Sequence, residues 1–316
     1  MKKFIHHITT FGIILLFISI AIEFLLFLRP NTYSYKRMYV EDHINDIRCL
    51  LLGNSHIDRA LNPNILGNGV FNMAIDGRDL VYDIELAKRY VPKMNQLRVI
   101  IIPLEYNYFY FGREKDNPNE MKKPSDIQDI QDTYKCMYYK YMGIRVDDFW
   151  YWSELLNSKL NYMSRFLKND KDARECDSLG YVNQNISKRK DNWEDRSLPK
   201  IVDTTLDTNR EIKNLLYKRY CTLAELANDQ GAKLILLVTP MYKTYNKTTN
   251  PIVKKEMKTF VASLKHKYSN IDYYDYSTDK RFVDEDFKDA SHLTNIGANK
   301  FSNIVKKEIL DKHHKR

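Results

Sequence analysis

Cysteine is scarce in this chain of 316 residues, and Cys49, Cys136, Cys176 and Cys221 lack the close pairing of a structural zinc site. They argue for no particular redox compartment. The ten glycines form no phosphate-cradling loop, and there is no His/Cys cluster, so neither a nucleotide, a metal nor another cofactor is expected. The two histidines of the tail, Lys312-His313-His314-Lys315-Arg316, are too few and too terminal for a metal site. One charge sign is in excess, at a net +9, yet the basic residues are scattered among acids rather than gathered into a patch. That speaks against nucleic acid as a partner. It suits a salt-sensitive attraction to anionic lipid, teichoic acid or acidic polysaccharide.

Long apolar runs are also few, and the longest lies at the amino terminus. Ile8 to Leu28 carries a single acid, Glu23, and 21 residues at 1.5 Å each span roughly the 30 Å of a hydrocarbon core. Residues 1–29 are therefore expected to be a transmembrane signal anchor, with the membrane contacted through 8–28. A cleaved leader is the competing reading, since Lys2 and Lys3 form a basic start and Ser19-Ile20-Ala21 offers small residues at a cleavage spacing. Against it, the apolar run continues through Glu23-Phe24-Leu25-Leu26-Phe27-Leu28. Glu23 is expected either close enough to the interface to stay hydrated or paired with a partner helix, the hydrated reading being preferred. Flanking charges do not settle orientation, because Arg29, Lys36 and Arg37 follow the span. A single span with so short a tail behaves as a signal anchor, which places residues 30–316 outside the cytoplasm, in a bacterial cell envelope.

The remaining chain alternates strand and helix. Cys49 to Leu52, Val70 to Ala74, Val99 to Pro103, Lys233 to Thr239 and Ile271 to Tyr274 read as strands, with helices over Leu80 to Val91, 210–229 and Asn295 to Leu310. The strand at 233–239 is apolar throughout its centre, as expected when helices cover both faces. The expectation is a three-layer α/β/α sandwich around a parallel, flavodoxin-like sheet. Between about 105 and 203 the pattern breaks into an aromatic-rich stretch containing Tyr106, Tyr108, Phe109, Tyr110, Phe111, Tyr138, Tyr139, Tyr141, Phe149, Trp150, Tyr151 and Trp152. It reads as an inserted cap, either contacting sugars or filling a core. Lys168 to Pro199 reads as a long surface loop.

Two short strings carry the chemistry. Gly53-Asn54-Ser55-His56 follows the first strand, where a serine is presented at a strand-to-helix turn. Asp289-Ala290-Ser291-His292-Leu293 precedes the last helix. A serine hydroxyl needs a base within hydrogen-bond reach, and the base needs a third group to set its tautomer. Ser55, His292 and Asp289 supply the three types. Each string also has a plainer reading: Ser55 as a helix N-cap, and Asp289 as a cap beside a surface histidine. His56 either lines the pocket or projects from the first helical turn.

Gly53-Asn54-Ser55 together with Asp289-x-x-His292-Leu293-Thr294-x-x-Gly297-Ala298 resembles the SGNH, or GDSL-like, hydrolase superfamily, over about 47–112 and 230–312. The resemblance implies an esterase or acyltransferase with Ser55 as nucleophile, His292 as base and Asp289 as orienter. It also implies oxyanion donors, for which Gly77 and Asn107 are the candidates. The chain departs in two places. Asn54 stands where the superfamily usually has Asp, and Leu104-Glu105-Tyr106-Asn107 lacks the usual Gly-x-Asn-Asp. Loss of one oxyanion donor costs a factor of ~100 to 1,000 in rate. Some superfamily members that acylate polysaccharides and teichoic acids depart at the same block.

Two functions are thus in view. The first is an extracytoplasmic serine esterase or O-acyltransferase acting through an acyl-serine on an acylated envelope polysaccharide or related glycan, with an acyl-donor substrate and a membrane-bound acyl-donor protein as candidate partners. The second is a catalytically inactive envelope protein of the same fold that binds glycan or a membrane partner.

Overall fold

The computed structural model describes residues 1–109, 134–146, 174–199 and 210–313. The chain divides into two compact units, residues 1–39 with 118–175, and residues 40–117 with 176–316.

The first unit is built on α1 (Lys2–Phe27), a 26-residue helix long and apolar enough to cross a membrane. α2 (Thr32–Asp42) follows. Against the end of α1 packs a turn of π-helix, Tyr138–Met142, closed by Gly143 in the left-handed region. The Tyr141 hydroxyl donates to the Leu26 carbonyl at 3.1 Å, and its ring stacks on Phe27. Tyr33 meets Tyr138 edge-on. Glu23 departs from expectation: rather than being hydrated, it is buried and holds Lys140 at 2.8 Å. A carboxylate is stable in such surroundings only when a cation neutralises it.

The second unit is the sandwich. β1 (Cys49–Leu51), β2 (Val70–Asn72), β3 (Val99–Pro103), β4 (Lys233–Val238) and β5 (Ile271–Asp275) form one sheet in the order β2-β1-β3-β4-β5. All pairings are parallel, with Leu51 opposite Asn72 and Ile101 and with Ile101 opposite Ile235. This is the doubly wound order whose crevice lies outside the carboxyl ends of the strands, where the chain connections diverge. Every residue of β1, β2 and β3 is buried, which explains their unbroken apolar character.

Helices cover both faces. Short α3 (Ser55–Asp58) and α4 (Pro63–Leu66) lie with the carboxy-terminal helix on one side, where Cys49, Leu51, Ile101, Ile235 and Leu237 share a core with Phe301, Val305 and Leu310. The opposite layer holds α5 (Leu80–Tyr90) and α6 (Arg210–Asp229). α7 (Lys243–Thr248), α8 (Pro251–Lys267) and α9 (Asn295–Val305) complete the unit. α9 runs on through a π-helical turn, Lys306–Leu310, so the expected helix over 295–310 changes hydrogen-bond pattern near its end.

Of the stretch 105–203, expected as one inserted cap, only 105–109, 134–146 and 174–199 are among the described residues. Tyr106 and Phe109 are buried, with Phe109 edge-on to Phe260 of α8. Residues 176–199, within the stretch expected as a surface loop, are mostly exposed or half-buried but are tied to the sandwich at several points. Asn72 donates its backbone N–H to the Leu179 carbonyl, and Val182 donates to that of Asp58. Trp193 packs on Tyr242. A Cβ at Gly180 would lie 2.1 Å from the Asn72 carbonyl oxygen, so only glycine allows this approach. Tyr110, Phe111, Phe149, Trp150, Tyr151 and Trp152 lie outside the described residues.

Candidate active site

β1 runs out into Gly53, two residues past its end, whose φ of 118° lies in the region that favours glycine. A Cβ there would fall 2.3 Å from Pro103 Cδ, so the exits of β1 and β3 touch only because the side chain is absent. The turn is pinned from below. The Gly53 N–H donates to Asp83 Oδ1 at 2.9 Å, and the same oxygen accepts from Arg78 Nη1 at 2.9 Å. Both ionic side chains are fully buried. Burial pulls the Asp83 carboxyl up to about 6 despite Arg78, so the ion pair is held under strong desolvation.

Asn54, not Ser55, caps α3: its side chain accepts from the His56 N–H at 3.0 Å. The capping role that competes for Ser55 is thus already filled. The Ser55 hydroxyl instead lies 2.8 Å from His292 Nε2. Asn54 also donates through Nδ2 to the Tyr108 hydroxyl.

The second string is shaped by its own turn. Phe287 and Leu293 form an antiparallel bridge, and Lys288 donates its N–H to the His292 carbonyl at 2.8 Å. Within that loop Asp289 Oδ1 accepts from the backbone N–H groups of Ser291 and His292, both at 3.0 Å. His292 Nδ1 lies 2.9 and 3.0 Å from the two Asp289 oxygens. Thr294 then caps α9, accepting from the Gly297 N–H. Neighbouring segments hold the loop in place: Ala290 donates to the Arg196 carbonyl, Tyr242 to that of Ala290, and Asn295 to that of Gln184.

Ser55, His292 and Asp289 therefore make one continuous hydrogen-bonded chain. Burial holds the His292 imidazole below its ordinary pKa, although Asp289 works the other way. Asp289 is half-buried, but its bonds to His292 and to two backbone N–H groups outweigh the desolvation and keep it below the usual carboxylate range. At neutral pH the arrangement is an ionised Asp289 carboxylate, a neutral His292 imidazole and a Ser55 hydroxyl within hydrogen-bond reach of it.

His56 follows Ser55 and is buried beside it. Its Nδ1 lies 2.7 Å from Glu105 Oε1, an ion pair when the imidazole is protonated. Its ring faces that of His292, with centroids 4.8 Å apart. Burial alone would lower the His56 pKa; the Glu105 charge and contact reverse this and raise it. Glu105 was not among the residues expected at the site. The available signal was a carboxylate directly after a fully buried strand, Val-Ile-Ile-Ile-Pro-Leu-Glu.

Gly77 sits at positive φ in the connection from β2 to α5, which is tied to the serine turn by the Ile75 N–H donating to the Gly53 carbonyl. Asn107 lies in the short 3-10 turn Tyr106–Phe109, and its side chain is outside the described residues. A cavity of about 200 Å³ opens at the carboxyl ends of β3, β4 and β5, lined by His56, Glu105, Thr239, Met241, Met257 and Lys254 among others. Among the described residues no group of three or more His, Cys, Asp or Glu is placed to hold a metal ion.

No family model and no curated protein matches the chain. Among solved structures it is similar to a GDSL-like lipase of Bacteroides thetaiotaomicron, at 12 % identity and a TM-score of 0.39 over 89 % of this chain and 99 % of that one. It is also similar to a provisionally assigned SGNH hydrolase of Slackia heliotrinireducens, at 11 % identity and a TM-score of 0.42 over 84 % and 100 %. A provisionally assigned platelet activating factor of Streptococcus pneumonia gives 10 % and 0.43 over 88 % and 90 %.

Proposed function

We propose that the chain is a membrane-anchored serine esterase or O-acyltransferase of the SGNH type, acting outside the cytoplasm on an acylated envelope polysaccharide or related glycan. The observation that carries this reading is the unbroken chain from Ser55 Oγ through His292 to Asp289. Ser55 Oγ attacks an acyl carbonyl while its proton passes to His292 Nε2, and Asp289 steadies the imidazolium. The tetrahedral oxygen is held by backbone N–H groups near Ser55 and Gly77. Collapse breaks the bond to the leaving alcohol, which takes the proton from His292 and leaves an acyl-serine. Water or a sugar hydroxyl then repeats the sequence in reverse, giving free acid in one case and a new sugar ester in the other. The apolar helix supports the anchoring. A membrane-bound donor protein would supply the acyl group if the chain is a transferase.

The test uses the full chain in detergent with an aryl acetate. An acetyl adduct at Ser55, seen by intact mass and peptide mapping and absent from Ser55→Ala, is the expected result. Equal labelling of Ser55→Ala would overturn the mechanism. No labelling of either protein, with binding of envelope glycan unaffected by Ser55→Ala and His292→Ala, would mark a binding protein instead. Adding an oligosaccharide acceptor separates the two enzymatic outcomes, because only a transferase yields esterified sugar.

A further inference from the structure

Glu105 is an expensive residue where it stands. It follows a strand with no exposed residue, its side chain is 9 % exposed, and it lies against an imidazole adjacent in sequence to Ser55. A buried carboxylate is kept only where it balances a cation or holds a group in place. Here the group is His56, which packs against His292 across 4.8 Å. Two imidazoles so close in a dry site cannot both carry a proton without mutual repulsion, so whatever charges one discourages the other.

We propose that Glu105 is a positioning residue for the Ser55 base: by holding His56 as an imidazolium against His292, it keeps His292 unprotonated and ready to accept the serine proton. The pair joins the exits of β1 and β3, so the sheet itself delivers it to the site. The charged surroundings agree. His56 is faced by Glu105 from the end of β3, by Asp289 from the loop before α9 and by Asp76 from the connection after β2, all favouring its cation against the pull of burial. His292 is faced by Asp289, which favours its protonation, and by His56 and Arg59, which oppose it alongside burial. The proton is thus directed to the imidazole that does not touch Ser55. The two histidines titrate as a linked system, His292 losing its proton first as pH rises.

The proposal rests on the triad reading above for its kinetic arm and on geometry alone for its spectroscopic one. With Glu105→Gln the His56 cation loses its counter-charge, His56 becomes neutral at lower pH, and the His292 pKa rises. The acidic limb of kcat/KM for an aryl acetate is expected to move up by roughly one pH unit. His56→Gln should shift the limb in the same direction, and the double variant should shift it no further than either single one. In the full chain carrying Ser55→Ala, with histidine-selective 15N labelling, the same Glu105→Gln change should raise the His292 titration and lower that of His56. Unchanged titration of both rings overturns the proposal whether or not the protein hydrolyses esters. A uniform loss of rate without a shift of the limb overturns it equally, since that is what a merely structural carboxylate would give. Absence of Ser55-dependent hydrolysis together with the expected ring titrations would defeat the functional reading and leave this pairing standing.

Discussion

Two carboxylate–imidazole pairs lie side by side in the sandwich unit and are built in opposite ways. Asp289 and His292 are three residues apart on one loop, and the backbone N–H groups of that same loop hold the carboxylate. His56 and Glu105 come from the ends of two different strands and meet because β1 and β3 are in register and Gly53 lets their exits touch. The first pair is a local device, robust to small shifts of the sheet; the second exists only when the sheet is correctly assembled. Their proton balance differs as well, with the His292 pKa lowered and the His56 pKa raised.

The comparison can be broken most severely from the local side. Asp289→Asn keeps the size of the orienter but removes its charge and favours the wrong tautomer of His292, and a fall of ~10,000-fold in turnover is expected. Steady-state hydrolysis of an aryl acetate measures it, and a loss below tenfold would mean that the loop alone orients His292. The support under the strand-borne pair can be broken next. Arg78→Met leaves Asp83 buried without its cation beneath the Gly53 turn and should cost about 3–5 kcal/mol of stability at pH 8. Because burial already raises the folded-state pKa of Asp83 to about 6, above its unfolded value, the folded form binds the proton better. Stability of the variant should therefore recover as pH falls from 8 toward 6, which denaturant titration at the two pH values checks. The smallest effect is expected from Ser291→Ala. Its hydroxyl is 3.4 Å from Asp289 Oδ1, but the two backbone N–H bonds to that oxygen remain, so the rate should fall by less than tenfold.

What could be read from the sequence follows the same division between local and assembled features. The strand runs were legible because burial on both faces demands continuous apolar residues, as in Val99–Pro103 and Lys233–Val238. The strings around Ser55 and Asp289 were legible because each is a compact turn with recognisable capping chemistry. The anchoring of the mostly solvent-facing residues 176–199 was not: their hydrogen bonds run to Asn72, Asp58 and Asn295, partners set by tertiary structure. Glu105 was missed for the same reason, since its partner lies across a strand crossing. Glu23 reads by itself as a hydrated acid, and only the arrival of Lys140 explains its burial.

The Lys140–Glu23 contact has a practical bearing on how the protein can be handled. α1 supplies the counter-charge for the buried Lys140 ammonium, the acceptor for the Tyr141 hydroxyl and the ring on which Tyr141 lies. A fragment starting at residue 30 would uncover all three at once, leaving an ammonium ion stranded among tyrosines and a sticky aromatic surface facing solvent. Trimming the amino terminus to gain solubility would thus invite aggregation, and detergent-held full-length material is the sounder starting point for any assay.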